Sequence, residues 1–211
     1  MEITTKQQLR FCIKADYLMN RGPWITSRLG KFKQTLKADP IISYLRLMRK
    51  TNYYSHSKSL WGGALFEFYK FRYQRLGLKL GFSIGYKCFG YGLVIPHYGT
   101  IVVGDENRLG NYCVLHTSIC ITGENGGKQI GDALYVGSGA RINKSITLGD
   151  NVQIASNSVV NRSAYQSNLV LAGMPAEIKK HNVHRWYEGW KAEEMYNRIE
   201  AKRIADGISF N

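Results

Sequence analysis

From Val103 onward an aliphatic residue returns at every sixth position, and few folds can satisfy that pattern. Val103, Leu109, Leu115 and Ile121 make the first run. After the eight-residue stretch Thr122–Gln129 the run resumes at Ile130, Val136, Ile142, Leu148, Ile154 and Val160. All ten are Val, Ile or Leu, types that fill about a fifth of the chain. The next positions are Gly104, Gly110, His116, Thr122, Gly131, Gly137, Asn143, Gly149, Ala155 and Asn161, half of them glycine. A helix repeats at 3.6 residues and a strand at 2, so neither generates a period of six. A short strand plus a tight turn does, and three such hexads close one triangular coil. The aliphatic residue then faces the axis, and the glycine permits close backbone approach or unusual φ/ψ at the corner. Stacked coils bury a continuous aliphatic column. The period fixes an architecture and no chemistry.

The flanks read differently. Residues 1–81 look helical. "TTKQQLRFCIKADYLM" spaces Leu9, Phe11, Ile13, Tyr17 and Leu18 on a helix behind a Thr4 or Thr5 cap. "DPIISYLRLMRK" starts a second helix at Asp39-Pro40. "LFEFYKFRYQRLGLKLG" gives a third, with one apolar and one basic face, its end punctuated by Gly77 and Gly81. The Gly- and Asn-rich stretch Thr122–Gln129 leaves the coil as a loop. The coils should end near "VLAGMPAEIKK". The tail "RWYEGWKAEEMYNRIEAKRIAD" reads as a helix packing two tryptophans. The expected fold class is α+β: a basic helical domain over 1–81, a β-helix over 82–180 and a helical extension over 181–211.

Charge is unevenly placed. Residues 1–81 hold 16 Lys+Arg against 4 Asp+Glu, whereas 82–211 hold 13 against 11. The first part therefore suits an anionic partner, either a phosphate-bearing substrate or an anionic membrane face. Interleaved aromatic and basic residues can also stack bases, but a simple amphipathic helix is the better reading, and nucleic acid is not expected. No run reaches the ~18 apolar residues of a membrane span, and no secretory signal is evident, which places the chain in the cytoplasm. Four cysteines without CxxC pairing read as reduced thiols, and the scattered histidines predict no metal site.

His97 in "LVIPHYGTIVVG" and His116, in a slot mostly held by glycine, are the candidate reactive side chains. They lie nineteen residues apart, one coil plus one. A neutral imidazole, ordinary pKa about 6.5, can take the proton of an attacking hydroxyl. The plainer readings are a structural turn histidine and a polar outward residue. An acyl-enzyme on Cys113 or Cys120 is a weaker alternative.

"HYGTIVVG", the hexad array, the glycine-bearing loop and "LAGMPAEIKK" together resemble the hexapeptide-repeat acyltransferases. The nearest branch is the serine acetyltransferase-like group, including members encoded with capsule and O-antigen genes. The resemblance implies a left-handed coil and acetyl-CoA as co-substrate. It also implies a homotrimer, with a dimer of trimers in true serine acetyltransferases. It makes His97 the general base, with His116 as a second catalytic or acceptor-binding residue. It points to Gly123, Ser138, Ser156, Asn161, Lys179 and Lys180 as cofactor-binding positions, the lysines suiting CoA phosphates. The family's aspartate before the histidine is Pro96 here, its partner aspartate aligns with Phe82, and its second histidine is missing from "GGKQIG". These departures suggest a sugar of a surface polysaccharide, or its lipid-linked precursor, as the acceptor. L-serine and a non-catalytic scaffold remain the alternatives.

Overall fold

The computed structural model describes residues 1–23, 39–122 and 127–210. Three helices, α1 (Lys6–Arg21), α2 (Pro40–Tyr54) and α3 (Leu60–Leu80), lead into a parallel β-solenoid, and α4 (Lys191–Ala205) follows it. One solenoid face stacks Phe82–Ile84, Ile101–Val103, Ile119–Ile121, Arg141–Ile142 and Val159–Val160. A second stacks Arg108–Leu109, Gln129–Ile130 and Thr147–Leu148. A third stacks Val114–Leu115, Tyr135–Val136, Val152–Ile154 and Leu169–Gly173, with Ala176–His181 folding back antiparallel on the last. All ten hexad aliphatics are buried, forming the column that the period requires.

The glycine of the hexad has a specific steric cause at one corner. Asn111 N–H donates to Asp132 Oδ1 and Asp132 N–H to Asp150 Oδ1, each at 2.7 Å, so a ladder of short side chains runs down that edge. Each side chain reaches back over the preceding glycine. A Cβ on Gly110 would sit 2.2 Å from Asp132 Oδ1, and one on Gly131 2.1 Å from Asp150 Oδ1. No side chain larger than hydrogen fits beneath the ladder.

The coil extends one turn upstream of the regular period. Ile84 sits opposite Val103, and bridges join Phe89 to Leu109 and Val94 to Val114. The terminal helices close on it. Phe11, Cys12 and Leu18 of α1 share a core with Tyr91, Val94 and Tyr112 of the solenoid and Met195 and Ile199 of α4. Buried Arg49 makes a two-pronged ion pair with buried Asp16 (2.7 and 3.0 Å) and donates to the carbonyls of Phe89 (2.9 Å) and Gly90 (2.5 Å). That satisfies the charges and carbonyls of three elements at once.

The helical expectations need three corrections. Thr5 caps α1 with a capping box and Asp39 caps α2 ahead of Pro40, as anticipated. However, α3 begins at Leu60 and runs through Gly77 to end at Gly81 in a left-handed cap. Gly77 is internal because a Cβ there would lie 2.7 Å from the Phe82 carbonyl oxygen. Second, α3 is not divided into one apolar and one basic face: it carries apolar residues on both sides. Third, α4 starts only at Lys191. The "RWYEG" segment is turns, and Trp190 is exposed while Trp186 donates to the Tyr112 carbonyl at 2.8 Å.

Candidate active site

The corner between the third and first faces gathers the candidate residues. From Ile95 to Val103 the chain takes eight residues, two more than a hexad, and the surplus forms an outward turn carrying Pro96, His97 and Tyr98. His97 is exposed, and among the described residues its ring has no hydrogen bond or ion pair. His116 occupies the next rung: its N–H donates to the Val136 carbonyl at 3.1 Å, and its half-buried ring lies 5.1 Å from the Tyr135 ring. A Cβ on Gly99 would meet Thr117 Cγ2 at 3.3 Å, so the turn that carries His97 rests directly on the rung that carries His116. Burial, and then the neighbouring His97 charge, hold the His116 pKa below its ordinary value. The two imidazoles thus share one corner.

Ser138 and Ser156 continue the same edge. Gly139 N–H donates to the Thr117 carbonyl (3.1 Å) and Asn157 N–H to the Ser138 carbonyl (2.9 Å). A Cβ on Gly137 would lie 2.9 Å from Ser156 Oγ, so only glycine lets that serine stand beside the rung above. With rungs about 4.8 Å apart, the line from His97 to Ser156 spans roughly 14 Å.

The other expected positions are not all brought to this edge. Asn161 follows Val160 at the end of the first face, a different corner, where its Oδ1 is buried without a hydrogen-bond partner among the described residues. Lys179 and Lys180 lie exposed on Ala176–His181, at the far end of the third face. Lys179 pairs with the exposed Glu177 at 2.9 Å. Gly123 lies outside the described residues. Cys113 is fully buried, its Sγ 3.3 Å from the Gly110 carbonyl oxygen, and burial pushes its thiol up, so it is closed to acyl chemistry. A cleft of about 570 Å³ lies away from the histidines, against α4, where Glu200 accepts from Tyr91 (2.8 Å) and Tyr112 (2.5 Å).

The sequence reading missed what holds the His97 turn. Among the described residues no coil lies above the first, so the Leu93–Ile95 edge needs other partners. Two side chains of α1 supply them. Leu93 N–H donates to Asp16 Oδ1 (3.1 Å), Ile95 N–H to Asn20 Oδ1 (3.1 Å), and Asn20 Nδ2 to the Leu93 carbonyl (2.8 Å). The available signal was a pair of polar residues at i, i+4 beside the helix's own apolar stripe.

The chain is 31% identical over 94 residues to a serine acetyltransferase of Synechococcus elongatus, covering 42% of this chain and 38% of that protein. It is 24% identical over 207 residues to one from Buchnera aphidicola, covering 92% and 75%. It therefore spans well under half the length of the first of these relatives. A solved serine acetyltransferase from Neisseria gonorrhoeae superposes with a TM-score of 0.62 at 22% identity, covering 85% of this chain and 69% of that one. No protein-family model matches the chain. The chain has the β-solenoid fold of the serine acetyltransferases and is related to them in sequence.

Proposed function

We propose that this protein transfers an acetyl group from acetyl-CoA to a hydroxyl, with His97 as general base. The observation that carries the reading is the edge on which two imidazoles and two serines stand on successive rungs. Acetyl-CoA would supply an acyl carbon activated as a thioester. The His97 imidazole, exposed and without a hydrogen bond or ion pair among the described residues, takes the acceptor's proton as the oxygen attacks and passes it to the departing sulfur. His116, one rung on, favours its neutral form and lends a second acceptor or donor to the incoming hydroxyl. Ser138 and Ser156 line the edge along which the pantetheine arm would lie, and Lys179 and Lys180 suit its phosphates by charge. The fit is chemical: the serine hydroxyls stand on the edge that ends at the imidazoles, and the exposed lysines of Ala176–His181 lie at the far end of the third face. Solved serine acetyltransferases include a CoA complex from Brucella abortus and a serine complex from Neisseria gonorrhoeae.

For the acceptor, the relatives favour L-serine over a surface-polysaccharide sugar. One observation keeps the sugar reading alive. Phe82, aligned with an expected carboxylate, is buried edge-on against Tyr44 with ring centroids 5.1 Å apart, and Pro96 stands before His97, so neither position offers an anion to a serine ammonium. A homotrimer, with an active edge facing a neighbouring chain, belongs to the same proposal. Labelled acetyl-CoA offered to L-serine and to a sugar panel separates the acceptors. Efficient serine turnover assigns serine, and turnover on sugars alone assigns the polysaccharide class. Failure to bind or turn over acetyl-CoA would leave a non-catalytic scaffold.

A further inference from the structure

We propose that the outward face of α3 is a docking surface for an anionic lipid bilayer. This inference rests on the fold and on charge placement, not on the acetyl-transfer reading. One side of α3 is spoken for: Gly62, Tyr73, Gly77 and Leu80 are buried, and Tyr73 donates to the Ile84 carbonyl and accepts from Tyr44 at 2.9 Å. At 3.6 residues per turn the opposite side collects Leu60, Ala64, Phe68, Phe71 and Leu78, flanked by Trp61 and Leu65. These side chains stand in water: Leu60 is 94% exposed, Trp61 83%, Leu78 83% and Phe71 61%. A helix with apolar side chains on opposite sides needs an apolar neighbour on each, and among the described residues the solenoid and α2 cover only one. Contiguous exposed apolar side chains mark a contact, whereas scattered ones need no explanation.

The charges choose the occupant. Arg72, Arg75 and Lys79 are exposed on the same side, Lys58 is exposed just ahead of the helix, and Glu67 is the one carboxylate within α3. A second copy of the face would set cation against cation, which opposes self-association. An anionic bilayer meets every requirement. Leucine, tryptophan and phenylalanine enter the boundary between headgroups and acyl chains, while arginine and lysine stems lie along the apolar surface with their heads among the phosphates. The Arg72 guanidinium already sits 5.6 Å above the Phe68 ring, an arrangement of that kind. The helix is about 30 Å long, enough to lie flat as one continuous contact. None of its windows is apolar enough to cross a membrane, so the contact is peripheral.

The test uses the full chain and cosedimentation with phosphatidylcholine vesicles, with and without phosphatidylglycerol at about 30 mol %. The chain should bind the anionic vesicles and release from them as salt rises. The triple variant R72Q/R75Q/K79Q should bind on the order of 100-fold more weakly, at about 1 kcal/mol per cation. L60S/F71S/L78S should lose at least about tenfold, since each change removes apolar groups from the interface. These positions are exposed, so far-UV dichroism and CoA binding should stay as in the wild type, which separates a docking defect from misfolding or a lost active site. No binding to anionic vesicles, or binding indifferent to both triple variants, overturns the proposal. So does sedimentation analysis in which L60S/F71S/L78S splits a wild-type oligomer, which would give the face to a second copy.

Discussion

At the residue scale, the two histidines differ in what surrounds them, and this predicts how they titrate. His116 is half-buried against Tyr135 and feels the His97 charge, so its protonated form is disfavoured twice, by burial first and by repulsion second. By nuclear magnetic resonance its titration midpoint should lie below the ordinary value of about 6.5. In the His97→Gln protein the midpoint should rise, but only partway, because burial persists. The stability sign follows. The unfolded chain takes up this proton at higher pH than the folded one, so His116 costs stability as pH falls below about 6.5 toward its folded pKa. A midpoint at or above the ordinary value would contradict the burial of the ring, and a midpoint unmoved in the His97→Gln protein would show that the two rings do not share the corner. The glycines of the Asx ladder make a second residue-scale case. Gly131→Ala pushes a methyl onto Asp150 Oδ1 and, at 2.8 Å, onto Asp150 N, so it should lower stability by roughly 1–3 kcal/mol in chemical denaturation, the cost of overpacking. An unchanged midpoint would mean that the ladder yields freely.

At the element scale, α1 is the first coil's missing neighbour. Asp16 and Asn20 sit one turn apart and offer the side-chain oxygens that a preceding rung would have offered through carbonyls. Asp16 is also the counter-ion of fully buried Arg49. Asp16→Ala leaves that guanidinium without its anion, and should cost about 3–5 kcal/mol in a denaturant melt. Replacing both residues by leucine or methionine should cost less than the single change, because no charge is then stranded. Asn20→Ala removes three hydrogen bonds, two of them from the strand that leads to His97. It should lower kcat while affinity for acetyl-CoA is kept, whereas equal losses in both would point to a general folding defect. In the helix's sequence the only trace of this was the polar pair Asp16 and Asn20 at i, i+4. Hydrophobic spacing reports which side of a helix is covered, but not that the cover is an open sheet edge asking for acceptors. Likewise the aromatic-rich α3 read as simply amphipathic, because spacing cannot tell an apolar side chain that meets a core from one that meets water.

At the scale of the whole molecule, the period of six determined most of what was readable in advance. Ten aliphatic positions sufficed to give the column, the faces and the corner glycines, because in a coil each residue's environment is set by its place in a short repeat. The reading failed where the repeat fails. The first coil departs from the period, and the His97 turn is two residues longer than a hexad. These irregular points coincide with the candidate chemistry, as expected when local rules are set aside for function. The account turns on the claim that the imidazole of the outward His97 turn takes the acceptor's proton. The most direct test compares His97→Ala with the wild type for CoA affinity and for transfer of labelled acetyl from acetyl-CoA to whichever acceptor the wild type uses. The account predicts unchanged CoA affinity and a loss of turnover of about 10²- to 10⁴-fold, the usual range for a general base. Turnover at the wild-type rate with His97 removed would contradict it.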